Sequence, residues 1–219
     1  EEDRSVNNNG LQVFGTITKS AVATGAELVG YSGFSGSNYL FQPYNSNLDF
    51  GTGDFSIMGW VKSTLSSGYS DIIARGNAGD TGYGSSEPGS WFIQVHPTYG
   101  YNLYFKTVSG TSSSNWTSLI GSGYRITDGV WHHITIVRTG GVLYSYTDAN
   151  LHATSTLYAS ESFTPSNNLE QMTIRVGWQG PSYNYPATTE SMALWRISKS
   201  APSAAQIKKM YEDEKVLFQ

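Results

Sequence analysis

The chain reads as an all-β, two-sheet antiparallel β-sandwich closed by one short C-terminal helix. Three observations predict it. The first is composition: 15 Tyr and 24 Gly among 219 residues, with 14% aromatic and 38% hydrophobic residues, describe many short strands joined by tight turns. The second is a repeated two-residue alternation of apolar and polar side chains in short segments. The third is a single amphipathic helical pattern, placed after the last of those segments.

In order along the chain, Phe55, Ile57, Gly59 and Val61 alternate with Ser56, Met58, Trp60 and Lys62. The first set faces the core, and Trp60 on the other face is either a stacking platform or a ring that some other segment covers. Strands of the same kind are predicted over 91–96, 102–108, 131–138, 142–146, 172–176 and 192–197. Their spacing suits one sandwich more than two small domains. Ser203 is an N-cap for a helix over 204–211, with Gln206 at the reciprocal capping-box position. Ile207, Met210 and Tyr211 form its apolar stripe, and Glu212, Asp213 and Glu214 read as a solvated end. Two long polar segments, 76–90 and 177–191, interrupt the strands and read as loops. Tyr83 and Trp91 belong to the first, and Trp178, Tyr183 and Tyr185 to the second.

Charged residues are 14% of the chain and the net charge is −4. Phosphate recognition needs clustered Lys and Arg, so a nucleic-acid partner is not expected. No apolar run of about 18 residues marks a membrane span, and no basic segment followed by an apolar core marks a signal peptide. Without cysteine, thiolate catalysis and thiolate metal sites are excluded. The surface is covered by Ser, Thr, Asn, Gly and Tyr, which suits neutral, hydroxyl-rich ligands.

The run Asp128-Gly129-Val130-Trp131-His132-His133-Ile134, followed by Leu143-Tyr144-Ser145-Tyr146-Thr147-Asp148-Ala149, resembles a signature of laminin-G-like, concanavalin A-like jelly-roll domains of the Laminin_G_3 type. Phe55 to Lys62 is similar to the family's early core strand and Asp71 to Gly76 to the strand after it. Leu194-Trp195-Arg196-Ile197 and the Ser203 helix are similar to its closing strand and capping helix. The likeness is greatest to copies carried in large phage tail and adhesion proteins. It implies a concanavalin A-like jelly roll, a virion-associated or otherwise extracellular, cell-surface location, and residues 1–219 as one domain excised from a larger polypeptide. Two departures stand out. Met192-Ala193-Leu194 replaces an acidic stretch, which puts a family calcium site in doubt, and Asp148-Ala149 replaces Asp-Gly, which predicts a different turn because Ala tolerates positive φ poorly.

Catalytic patterns are missing. A glycosidase needs two carboxylates roughly 5 to 10 Å apart, and no strand carries the alternating acids of the glucanases on this fold. Asp71, Asp80 and Glu87 are scattered acids near one loop. His132 and His133 are strand neighbours that point to opposite faces and cannot share a metal; they are expected to serve folding. Calcium is the one metal considered, with Asp80, Glu87 and Asn77 as candidate oxygen ligands or as ordinary solvated loop residues. The leading expectation is a non-catalytic, lectin-like domain of a phage tail, fibre or adhesin that binds a glycan or polysaccharide. Trp178, Tyr183, Tyr185 and Tyr83 would stack on sugars, and Asn184 and Gln179 would take hydroxyls. The alternatives are a structural spacer that contacts neighbouring chains of a tail or fibre assembly, and a divergent glycoside hydrolase.

Overall fold

The computed structural model describes residues 9–76, 89–106, 116–120, 124–156, 160–164, 171–174, 176–178, 184–186 and 188–219. Sixteen strands are present among them: β1 Gln12–Phe14, β2 Thr18–Ala21, β3 Val29–Ser32, β4 Tyr39–Gln42, β5 Phe55–Ser63, β6 Ser70–Gly76, β7 Trp91–His96, β8 Gly100–Lys106, β9 Trp116–Ile120, β10 Trp131–Thr139, β11 Val142–Thr147, β12 Asn150–Ser155, β13 Gln171–Ile174, β14 Val176–Trp178, β15 Asn184–Pro186 and β16 Glu190–Ser198. The helix α1 spans Ala204–Glu214, and a 3-10 turn Lys215–Phe218 follows it.

The strands form two sheets. A nine-stranded sheet runs β1-β4-β13-β6-β7-β8-β9, with the β14–β15 hairpin attached to β6 through β15; a seven-stranded sheet runs β12-β11-β10-β5-β16-β3-β2. The predicted alternation places the core. Phe55, Ile57 and Val61 of β5 meet Ile93, Val95, Leu103 and Phe105 of the facing sheet in one cluster that also takes Ile134 and Ile136. Gly59 belongs to the same face because the Trp195 ring occupies its side-chain space: a Cβ at Gly59 would lie 2.5 Å from that ring.

The segment 177–191 is not one long loop. Val176–Trp178 pairs antiparallel with Asn184–Pro186, and Pro186 pairs with Asp71 in parallel. Residues 172–176 are accordingly two short strands, with 175 between them. The turn after β11 also differs from expectation. Asp148 and Ala149 both have positive φ, 50° and 63°, as in the Asp-Gly type I′ hairpin. Tertiary contacts hold it: the His133 N–H donates to Asp148 Oδ1 at 2.9 Å, the Asp148 N–H donates to the His133 carbonyl at 2.8 Å, and the Ala149 methyl packs with Val137, Tyr146 and Ile207.

The Ser203 and Gln206 capping box is formed, and Ile207 is fully buried against the outer face of the seven-stranded sheet. The helix continues past Tyr211 through Glu214; Glu212 and Asp213 are exposed, as expected, but Glu214 is not. Glu214 accepts from Trp60 Nε1 at 2.7 Å and pairs with Arg196 at 2.7 Å. Trp60, only 2% exposed, stacks with both Tyr211 and Phe218, with centroid distances of 5.8 and 4.1 Å. Its ring is therefore covered by the chain's own C-terminal segment and is not a free platform.

Candidate ligand-binding face

The outer face of the nine-stranded sheet is built by register. On β7, Trp91, Ile93 and Val95 enter the core, so Phe92, Gln94 and His96 point outward. Asp71 of β6 lies opposite Gln94, and Gln94 lies opposite Asn102 of β8. A polar row thus crosses three adjacent strands, with Pro186 of β15 next to Asp71 at its edge. Beside the row, Phe92 and Tyr104 stack at 4.7 Å. At its hairpin end Tyr69 and Tyr99 are exposed, 41% and 47%, and flank His96 with centroids 4.9 and 4.6 Å from its ring. Burial lowers the His96 pKa, which favours a neutral imidazole in this aromatic stack.

The row is closed from solvent and incompletely bonded. Gln94 Nε2 donates to Asp71 Oδ1 at 2.7 Å, the Asn102 side chain bonds Tyr104, and Asp71 Oδ2 and Asn102 Oδ1 are buried without a hydrogen-bond partner among the described residues. Burial pushes the Asp71 carboxyl up to about 8; the Gln94 bond opposes this and the nearby Glu190 charge adds to it. Glu190 itself is satisfied. Ser63 of one sheet and Ser70 of the other donate to its two oxygens at 2.8 and 2.6 Å, and Thr189 donates through both its N–H and its hydroxyl. It joins the sheets at this end of the sandwich.

The histidine pair lies on the other sheet. His132 bridges Asp148 at 2.7 Å and Asp128 at 3.1 Å. Its burial alone would lower its pKa, but the bonds and charges of the two carboxylates outweigh that and raise it. His133 points the opposite way, beneath Trp60 and Tyr211, and burial pushes it down to about 4.

Of the residues predicted from sequence to bind a ligand, Trp178 closes β14 and pairs with Asn184, and Tyr185 lies between Asn184 and Pro186 on β15. The backbone thus brings Trp178, Asn184 and Tyr185 together beside β6. Tyr83, Gln179 and Tyr183, and the calcium candidates Asn77, Asp80 and Glu87, lie outside the described residues. Ala193, which replaces the family's acid, is buried against Trp60 and Val22. Sequence reasoning missed Tyr69, Gln94, His96, Tyr99 and Asn102. The signal for Gln94, His96 and Asn102 was a set of polar residues at the outward positions of β7 and β8, which alone reads as solvent-facing; Tyr69 and Tyr99 precede β6 and β8 and had no periodic signal.

The fold has solved counterparts. The binding domain of Paraclostridial Mosquitocidal Protein 1 superposes with a TM-score of 0.72 at 14% identity, over 97% of this chain and 49% of that one. The botulinum neurotoxin serotype D binding domain gives 0.68 at 15%, over 97% and 49%. A botulinum neurotoxin DC binding domain in complex with SialylT gives 0.66 at 15%, over 97% and 48%. The chain therefore spans about half the length of each of these structures. No curated protein matches the sequence. A family model described as the Concanavalin A-like lectin/glucanases superfamily matches residues 34–208, and the chain belongs to that family, Laminin_G_3.

Proposed function

We propose that the chain is a non-catalytic carbohydrate-binding domain, carried by a virion tail, fibre or cell-surface adhesin, and that it binds its glycan on the outer face of the nine-stranded sheet. The observation that carries this reading is the cluster of exposed Tyr69 and Tyr99 around half-buried His96, beside a polar row on one sheet. Aromatic faces take the C–H side of sugars, while amides and carboxyls take hydroxyls. Trp178, Asn184 and Tyr185, on the β14–β15 hairpin beside β6, join this surface in the reading, and Tyr83, Gln179 and Tyr183 are kept as candidate contacts. Similar structures are described as binding domains, one in complex with SialylT and another with rat synaptotagmin II. A hydrolase is disfavoured because the two acids near this face are poorly suited to the work. Asp71 is fully buried, and Glu190 is bonded on both oxygens.

The test is calorimetry and affinity electrophoresis against laminarin, alginate, dextran and a bacterial lipopolysaccharide. Tyr99→Ala and Trp178→Ala are each expected to weaken polysaccharide binding roughly tenfold, about 1.4 kcal/mol, with the fold intact. Should the wild type bind none of the panel, the rival reading as an assembly domain gains. That rival has its own support in the exposed edge strand β1, where Val13 and Phe14 are 47% and 41% exposed. Calcium near Asn77, Asp80 and Glu87 stays part of the proposal. A chelator is then expected to lower the melting temperature slightly, and an unchanged melting curve at saturating chelator removes the ion from it.

A further inference from the structure

The two ring nitrogens of His96 have different surroundings. The Thr98 N–H donates to His96 Nδ1 at 3.0 Å within the turn between β7 and β8. A ring nitrogen that accepts carries no proton, so the neutral imidazole holds its proton on Nε2. Nε2 has no partner among the described residues, and it is not closed from solvent as the unpartnered Nε2 of His133 is. A donor of fixed direction is therefore left open beside two tyrosine rings. We propose that His96 Nε2–H is the directional hydrogen-bond donor of the Tyr69 and Tyr99 site, and that it selects a neutral sugar, through an uncharged hydroxyl or carbonyl oxygen, over an acidic one; this rests on the carbohydrate-binding reading above and names the ligand class of that surface.

The turn that makes this bond is held by its own residues. Pro97 fixes its φ directly after His96, and Gly100, opposite His96 in the ladder, has a φ of 78° in a place where a Cβ would lie 2.1 Å from the Tyr124 carbonyl oxygen. Tyr99 lies between them. The turn that sets the imidazole tautomer thus also holds the Tyr99 ring, stacked on His96 at 4.6 Å and 20°, while Tyr69 stands on the ring at 4.9 Å, tilted by 45°. The tyrosines offer apolar faces to sugar C–H groups, and the single N–H orients the ring that lies on them.

The charges around the imidazole favour a neutral ligand. The groups packed against it are Tyr69 ahead of β6, Tyr99 in the turn and Gly100 on β8, none of them a cation. Along β7 the next outward side chain is the Gln94 amide, and the Asp71 carboxyl opposite it, pushed up to about 8, holds its proton at neutral pH. Burial is what acts on His96, and it lowers the pKa from the ordinary 6.5. A carboxylate sugar would meet a neutral N–H here and gain no charge pairing, whereas a hydroxyl or amide oxygen is fully served by it. Acid undoes the arrangement. A proton on Nδ1 sets two donors against each other, since the Thr98 N–H then faces an N–H, and the turn that carries Tyr99 loses its bond. Binding of a neutral sugar is accordingly expected to fall as the pH drops below 6.5 through the folded value.

The test uses the full chain and the same four polysaccharides, of which laminarin and dextran are neutral and alginate and the lipopolysaccharide carry acidic groups. In calorimetry, wild type is expected to bind a neutral polymer roughly tenfold more weakly at pH 5 than at pH 7.5, and to bind neither acidic polymer better than the neutral ones at pH 7.5. His96→Asn keeps an acceptor for Thr98 and removes the outer donor, so it is expected to weaken binding roughly tenfold at pH 7.5. His96→Gln puts an amide N–H near the Nε2 position with no titrating group, and its affinity is expected not to vary with pH. Should His96→Asn unfold, the flat profile of His96→Gln carries the test. Nitrogen-15 shifts of the imidazoles need no ligand and are expected to show His96 as the Nε2–H tautomer at pH 7.5. If Tyr99→Ala weakens binding while His96→Asn binds like wild type, if His96→Gln keeps the wild-type pH profile, or if an acidic polymer is preferred, this assignment is overturned and the carbohydrate-binding reading stands. The Nδ1–H tautomer overturns it whether or not a polymer binds, and a wild type that binds no member of the panel removes both readings.

Discussion

The two outer faces of the sandwich are built from the same alternation and put to different use. On the seven-stranded sheet, the outward ring of Trp60 stacks with both Tyr211 and Phe218, its N–H is taken by Glu214, and Ile207 of α1 closes the neighbouring patch. On the nine-stranded sheet, Asp71, Gln94 and Asn102 form a buried polar row, and its rim leaves Tyr69 and Tyr99 partly in solvent. The first face is sealed by the chain's own C-terminal segment, and the second presents aromatic rings at its rim.

The comparison can be broken most sharply at Trp60. Trp60→Ala removes a ring 2% exposed with two stacking partners and a charged hydrogen bond, and is expected to destabilise the domain by about 4 kcal/mol in denaturant unfolding. Polysaccharide affinity of the folded fraction is expected to stay unchanged. A loss below about 1 kcal/mol would mean that the C-terminal segment does not seal that face.

A smaller effect sharpens the same face through pH. His133 has its folded pKa pushed down to about 4 from 6.5, so its contribution is complete above pH 6.5 and is lost as the pH falls through 4, amounting to about 3 kcal/mol. His132 has its pKa raised by Asp148 and Asp128, so its contribution is present below pH 6.5 and is lost as the pH rises through the folded value. Unfolding free energy measured from pH 4 to 8 should therefore flatten on the acid side in His133→Gln and on the alkaline side in His132→Gln. Identical profiles for the two variants would refute the opposed environments.

A pH effect opposite in sign to that of His133 belongs to the nine-stranded sheet. The Asp71 carboxyl is pushed up to about 8 from 3.8, so the folded state holds the proton more tightly than the unfolded chain. Its contribution is present below pH 3.8 and is lost as the pH rises through 8. Asp71→Asn removes that slope and is expected to stabilise the domain at pH 8 and to change it little at pH 4. Equal stability of variant and wild type at both pH values would show that the row carries no strain.

Local periodicity made much of this fold legible. The β5 core face, the strand at 91–96, the histidines on opposite faces and the Ser203 capping box all depend on residues within a few positions of one another. The site was less legible. Trp178, Asn184 and Tyr185 were singled out by their surroundings, but the hairpin that joins them was read as loop, since three-residue strands are too short to show a period. Asp71 was read as one of several scattered acids.

Sequence by itself determined the class of fold, the strands long enough to alternate, the inward set of β5 and the helix that ends the chain, because those follow from the side-chain period of two or 3.6 and from short-range capping. Tertiary structure alone decided that Asp71, Gln94 and Asn102 form one row, that Tyr69, His96 and Tyr99 meet at its end, that Glu190 joins the sheets and that Phe218 covers Trp60. These depend on strand register and on contacts between residues up to 158 positions apart, as Trp60 and Phe218 are in number. No local pattern encodes such pairings, since register is settled by how the whole set of inward side chains fills one core.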